Sequence, residues 1–158
     1  MRHMLKKLLG FLWRSTPGKL RRWSAHRFQQ RFTVSAGAIV VDDAGRVLLL
    51  KHVFRTGSGW GIPGGFIGEG EQPEVAIKRE LMEETGLELE RAEFAFARTL
   101  KKVSHVEIIF RCHAHGEARA RSLEVKHLEW FALNNLPGDL SRDQIIIINR
   151  ALGDRVNE

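Results

Sequence analysis

The rhythm of apolar and polar positions changes several times along this chain. The run RFTVSAGAIVVDD, residues 31–43, is rich in β-branched and small residues; DDAG gives a turn signal, and RVLLLKHV follows. Residues 32–53 therefore read as two strands joined in a hairpin. A glycine-rich loop, GWGIPGG, leads into QPEVAIKRELMEETG. There Pro73 at the first helical position, Glu74 near the positive N-terminal end and Gly86 after the last turn predict a helix. Beyond it the pattern predicts strands near 92–99, 105–115 and 125–131, with a turn at HGEAR and a loop at NNLPGDL. Residues 141–152 read as a closing helix, because Ser141 and Gln144 have capping-box spacing, although the isoleucine run 145–148 also suits a buried strand. The sum is a mixed α/β (α+β) chain with several strands, one central helix and one C-terminal helix.

Ahead of this body lies a different kind of segment, MRHMLKKLLGFLWRSTPGKLRRWSAHRFQQRF. Leu5, Leu8, Leu9, Leu12 and Trp13 fall at helical spacing, which predicts a short amphipathic helix ending near Pro17 and Gly18. Lys6 and Lys7 interrupt the only apolar run that resembles a secretion signal, and no stretch is long enough to span a bilayer. The chain has 25 Lys and Arg against 19 Asp and Glu, yet residues 1–41 contain no acid and nine of the basic residues lie by Arg31. The remainder thus holds 16 basic residues (25 minus 9) against 19 acidic, so the net charge of +6 belongs to the arm. We expect residues 1–31 to form a basic amphipathic extension and residues 32–158 a single domain. The arm suits a solvated or domain-packing extension, an anionic membrane surface, or a nucleic-acid contact, and its aromatics Phe11, Trp13, Trp23 and Phe28 fit more than one of these. A lone cysteine, Cys112, excludes an intrachain disulfide and gives no metal or redox motif. A reducing compartment, hence a cytoplasmic location, is the expectation, with a peripheral position at a membrane as one of the readings open for the arm.

Candidate chemistry is concentrated on the central helix. At 100° per residue, Glu80, Glu83 and Glu84 lie within about 100° of one another, beside Ile77 and Leu81. Burying those two apolar residues draws the carboxylates out of free water, which is unfavourable unless a positive charge sits among them. Oxygen-only donors favour Mg²⁺, Mn²⁺ or Ca²⁺ over zinc. Arg79, four residues before Glu83, can orient that carboxylate. A solvated glutamate-rich face paired with Lys78 and Arg79 is the plainer alternative from the helix alone.

The spacing around the helix sharpens this. Gly65, five residues, Glu71, seven residues, Arg79-Glu80-Leu81, one residue, Glu83-Glu84, one residue, Gly86-Leu87 resembles the complete signature of the Nudix hydrolases. The WGIPGG approach and the later EWFALNNLP are similar to that family as well, so the resemblance covers roughly residues 32–152. It implies a Nudix fold, a mixed sheet sandwiched between helices. It also implies divalent-metal-dependent hydrolysis of a nucleoside diphosphate linked to a group X, with Mg²⁺, or alternatively Mn²⁺, as cofactor. Carried over by motif, Glu80, Glu83 and Glu84 are the expected metal ligands, and Glu80 or Glu84 also takes the proton from water. Arg79 orients, the Gly64 carbonyl is an additional ligand, and Glu71 either reaches an outer metal or braces the loop. A further acidic ligand is expected at Glu124, with Glu107 as the second candidate.

For the substrate, Trp60 and Phe66 could stack on a base or ribose, or instead pack the loop onto the sheet. Arg98 and Arg111, with Lys101 and Lys102, give the downstream strands a basic character suited to phosphates. His113 and His115 share a strand face but have no third ligand in view. The family's ADP-ribose enzymes usually carry a proline about where this chain has Lys102 and Val103. Its dinucleoside polyphosphate enzymes often carry a tyrosine, of which this chain has none. These absences weaken the ADP-ribose and dinucleoside polyphosphate readings and leave a nucleoside triphosphate or a nucleoside diphosphate sugar, between which the basic downstream strands favour the triphosphate. A non-catalytic nucleotide- or RNA-binding relative is the alternative of another class.

Overall fold

The computed structural model describes residues 2–20, 23, 27, 30–55 and 57–153, and divides the chain into two compact units, residues 1–31 and 32–158. In the first unit a helix α1 runs Arg2–Ser15 and stops before Pro17. Phe28 and the side chains of Leu5, Leu8, Leu9 and Leu12, which define the expected apolar stripe, lie outside the described residues. Met4, Phe11 and Trp13 are exposed.

The second unit is built from β1 (Thr33–Val40), β2 (Val47–His52), β3 (Trp60–Gly61), β4 (Gly64–Phe66), α2 (Pro73–Thr85), β5 (Glu88–Leu100), β6 (His105–His115), β7 (Val125–Phe131) and α3 (Arg142–Gly153). A four-stranded sheet has the order β4-β1-β6-β5, with β1 and β6 parallel and the other neighbours antiparallel; a three-stranded antiparallel sheet has the order β3-β2-β7. The expected hairpin of β1 and β2 is corrected here. Asp42 Oδ1 accepts from the amides of Ala44 and Arg46 and shapes the turn, but the two strands meet only at an isolated bridge between Val41 and Val47. A strand has two edges. Those of β1 are taken by β4 and β6, and those of β2 by β3 and β7.

Both strands bury both faces, which is why they read as continuous apolar runs. Ala36, Ala38, Val40, Leu48 and Leu50 belong to a core shared with Ile77 and Leu81 of α2. Ile39, Val47 and Leu49 belong to a second core shared with Ile147, Ile148 and Ala151 of α3. The sheets are thus covered by a helix on either face. The isoleucine run is helical, and its capping box is half formed. The Gln144 amide donates to Ser141 Oγ at 3.3 Å, whereas the Gln144 side chain turns inward and accepts from the Ile62 amide at 3.0 Å.

Candidate functional site

The site begins where β4 runs against β1. Gly64 sits at φ 145°, and a Cβ there would lie 2.3 Å from the Ala36 carbonyl oxygen, so only glycine fits. Its amide donates to Glu84 Oε2 at 2.9 Å, tying the last turn of α2 to the loop. Gly65 has a different reason: a Cβ there would lie 2.2 Å from Glu80 Oε1, so its absence lets that carboxylate lie on the backbone. The helix is set by Pro73 at its start and by Gly86 in the left-handed conformation at its end. Ile77 and Leu81 are fully buried, and Glu84, on the same side, is only 6% exposed.

Arg79 organises the rim. Its Nε and Nη2 donate to the two oxygens of Glu71 at 2.9 and 3.0 Å, its Nη1 donates to Glu80 at 2.7 Å, and Nη2 also reaches the Phe66 carbonyl at 3.1 Å. The pairing with Glu83 expected from helical spacing is present but longest, at 3.4 Å. Arg79 therefore grips Glu71 and Glu80 first. Glu71 also accepts from the Gly68 amide at 2.8 Å, a bracing geometry, and the Arg79 guanidinium holds its carboxyl down to about 2.

Glu84 has the opposite electrostatics. Burial pushes its carboxyl up to about 7; the Gly64 amide opposes this, while Glu80 and Glu124 add to it. His52 Nδ1 stands 3.8 Å from Glu84, but burial, with Arg55 nearby, pulls the imidazole down to about 4. At neutral pH His52 is uncharged, so this contact is not an ion pair.

A cavity of about 470 Å³ opens here, with Glu80, Glu83, Glu84 and Glu124 on its wall, together with Gly64 and Gly65. Its remaining lining is His52, Arg55, Phe66 and Ser122. A smaller cavity of about 230 Å³ adjoins it, lined by Ser35, Ile62, His105, Glu107, Ile109 and Gln144 among others, and the two share Arg55, Gly64, Gly65 and Phe66. Among the described residues, no three His, Cys, Asp or Glu groups are already arranged to hold a metal ion. The donor set still fits a hard divalent cation: four carboxylates border one cavity, and Glu84, desolvated beside an uncharged imidazole, has no cation within ion-pair reach among the described residues. Glu80, Glu83, Glu84 and Glu124, with Gly64 on the same wall, are the residues that would hold it.

Several expected substrate contacts are not in this region. Trp60 is 8% exposed and lines neither cavity; its ring packs edge-on against Phe131 at 5.2 Å and His127 at 5.9 Å, which is the packing role. Arg98 is committed to Glu107 at 2.5 Å and to both oxygens of Asp143 at 2.6 Å, which leaves it unsuited to phosphate. Arg111 also lines neither cavity, and its buried Nε has no hydrogen-bond partner. Phe66, by contrast, is exposed, lines both cavities and meets His105 edge-on at 5.7 Å. Glu107 lines the smaller cavity, away from the carboxylate group. His113 and His115 border a separate depression with Asp42, Asp43 and Glu90. The residues not anticipated are His52, Arg55 and Ser122 on one side and Ser35, His105 and Gln144 on the other. No local motif marks them, because they come from five separate segments that only the sheet brings together.

Comparison with known proteins agrees with this architecture. The profile described as NUDIX domain matches residues 31–150. A "MutT-like protein" of Streptomyces ambofaciens is 33% identical over 101 residues, covering 62% of this chain and 62% of the relative, so the chain spans under two thirds of that protein's length. A "Putative 8-oxo-dGTP diphosphatase" of Bacillus subtilis is 30% identical over 107 residues, covering 67% of this chain and 70% of that protein. Among solved structures, a MutT NUDIX hydrolase from Burkholderia pseudomallei superposes with a TM-score of 0.68 at 33% identity, covering 77% of this chain and 98% of that one.

Proposed function

Since the chain belongs to the Nudix hydrolase family, we propose that residues 32–158 hydrolyse the diphosphate linkage of a nucleoside diphosphate-X substrate in a divalent-metal-dependent reaction, with a nucleoside triphosphate as the preferred substrate. The observation that carries this is the carboxylate-walled cavity continuous with a smaller, partly apolar one. The first suits a charged anhydride and the second a nucleoside. The relatives named MutT-like and 8-oxo-dGTP diphosphatase support a nucleoside triphosphate.

A bound Mg²⁺ or Mn²⁺ would neutralise phosphate oxygens and favour attack by water. The chain's own residues do the rest. Glu80 and Glu84 both border the cavity, and one of them accepts the proton lost by the attacking water. The Gly64 amide fixes Glu84, while Arg79 fixes Glu80 and holds Glu71 against the loop. Phe66 offers an exposed ring face at the junction of the two cavities, where a base or ribose can rest. Residues 1–31 are accessory, a basic arm for an anionic surface.

The test is product release, with Mg²⁺ or Mn²⁺, across nucleoside triphosphates, nucleotide sugars, ADP-ribose and dinucleoside polyphosphates. Preferred release of pyrophosphate from a nucleoside triphosphate supports the reading; preference for a sugar or ADP-ribose conjugate replaces its substrate. Nucleotide binding without any turnover refutes the hydrolase.

A further inference from the structure

The guanidiniums of residues 32–158 are not used alike. Arg46 is paired with Asp42 at 2.7 Å, Arg91 with Glu93 at 2.6 Å, Arg98 with Glu107 and Asp143, and Arg79 with Glu71 and Glu80. Arg55, like Arg111, Arg121, Arg142 and Arg150, has no carboxylate within ion-pair reach among the described residues, but of these it alone borders the carboxylate cavity. Its one hydrogen bond is a long one, Nη1 to the Trp60 carbonyl at 3.4 Å. A guanidinium has five N–H donors in a planar fork, so most of its capacity is unspent.

Its position is specific. Although the residue as a whole is exposed, the guanidinium lies over Gly61, where a Cβ would sit 1.3 Å from Nη1. It borders both the carboxylate cavity and the smaller one, at their junction. It feels the charge of Glu84 on one side and of Glu107 and Asp143 on the other. A nucleotide whose nucleoside occupied the smaller cavity and whose anhydride reached Glu80 and Glu84 would carry its phosphates past this fork. Phosphates approaching a wall of carboxylates are repelled, and a planar cation at the entrance offsets that repulsion and can bind two oxygens at once.

We propose that Arg55 is a substrate-binding residue that grips the phosphate chain between nucleoside and scissile anhydride, so that the site selects phosphorylated nucleosides over bare ones, with Gly61 keeping the space in which the guanidinium lies. This rests on the nucleotide-hydrolase reading above.

The experiment uses the full chain, with Mg²⁺-supported hydrolysis of GTP and ATP and with guanosine and adenosine as competitive inhibitors. Arg55→Ala should raise KM by tenfold to a hundredfold, the order expected for losing a charge-assisted bond, with kcat changed much less and the nucleoside inhibition constants unchanged. Arg55→Lys, which keeps the charge but loses the fork, should fall between. Gly61→Ala, which displaces the guanidinium while leaving every charge in place, should reproduce the KM increase without loss of thermal stability. A KM within twofold of the unaltered chain in Arg55→Ala overturns the proposal. So does a parallel weakening of nucleoside inhibition, which would mean the small cavity itself had collapsed. If the unaltered chain hydrolyses neither triphosphate, the preference for a nucleoside triphosphate fails and this proposal with it; turnover with an unchanged KM sinks this one alone.

Discussion

Replacing Glu84 by glutamine separates the cost of this site from its use. The side chain is 6% exposed, and its carboxyl is pushed from 4.5 up to about 7 chiefly by burial. A carboxyl whose folded value is raised binds protons more tightly in the folded state. The folded chain is therefore favoured at low pH, and that advantage is lost as pH rises from about 4.5 through about 7. Above that window the ionised Glu84 costs roughly 3 kcal/mol, and at pH 5 about 1 kcal/mol. The glutamine keeps an oxygen for the Gly64 amide and turns its NH₂ toward the cavity, so any constant offset from the substitution cancels between two pH values. In EDTA, thermal melting should show Glu84→Gln gaining about 2 kcal/mol relative to the unaltered chain between pH 5 and pH 8. For a chain of this length that is a relative shift of about 4–8 °C. Mg²⁺ should then stabilise the unaltered chain at pH 8 and the variant far less, while turnover of the variant falls by at least about a hundredfold. A melting difference that stays constant from pH 5 to pH 8 would refute the argument that Glu84 is held as a strained, desolvated acid.

The other expectations are more direct. Glu80→Gln should lower turnover by at least about a hundredfold with an unchanged circular dichroism spectrum; near-normal rates in both glutamine variants would remove these residues from the reaction. Gly64→Ala must place a methyl 2.3 Å from the Ala36 carbonyl at φ 145°, so urea unfolding should show a loss of about 2 kcal/mol or more, together with loss of activity. Deleting residues 1–31 should leave kcat and the melting temperature of residues 32–158 unchanged while weakening sedimentation with anionic phospholipid vesicles; a truncated chain that fails to fold would make the arm part of the core.

The local signals in the sequence were largely sufficient for the elements. Pro73 and Gly86 mark the ends of α2 because each acts through its own backbone, one lacking a donor and the other adopting a left-handed turn. The span of β7 was legible from its strand-prone residues, and the glutamate side of α2 from the helical period of 100° per residue. The strand after α2 runs longer than its apolar residues suggest, over Glu88–Leu100, because its pairing with β6 holds polar residues in the ladder. The hairpin of β1 and β2 was misread because both strands carry apolar residues on both faces. Such a pattern states that a strand is buried and leaves its neighbours unspecified.

At the site the division follows range. The sequence by itself determined the family, the carboxylate cluster and the Arg79 position, since these lie on one helix with fixed periodicity. Tertiary structure alone decided which cations are free. Arg98 is neutralised by Asp143, 45 residues away in the chain, and Arg55 is placed beside residues from β4, β6 and α3. It also decided that Trp60 packs inside and that Gln144 holds the Ile62 amide. Whether a charge is spent or available depends on what the fold brings within about 4 Å of it, and no local pattern of residues contains that distance.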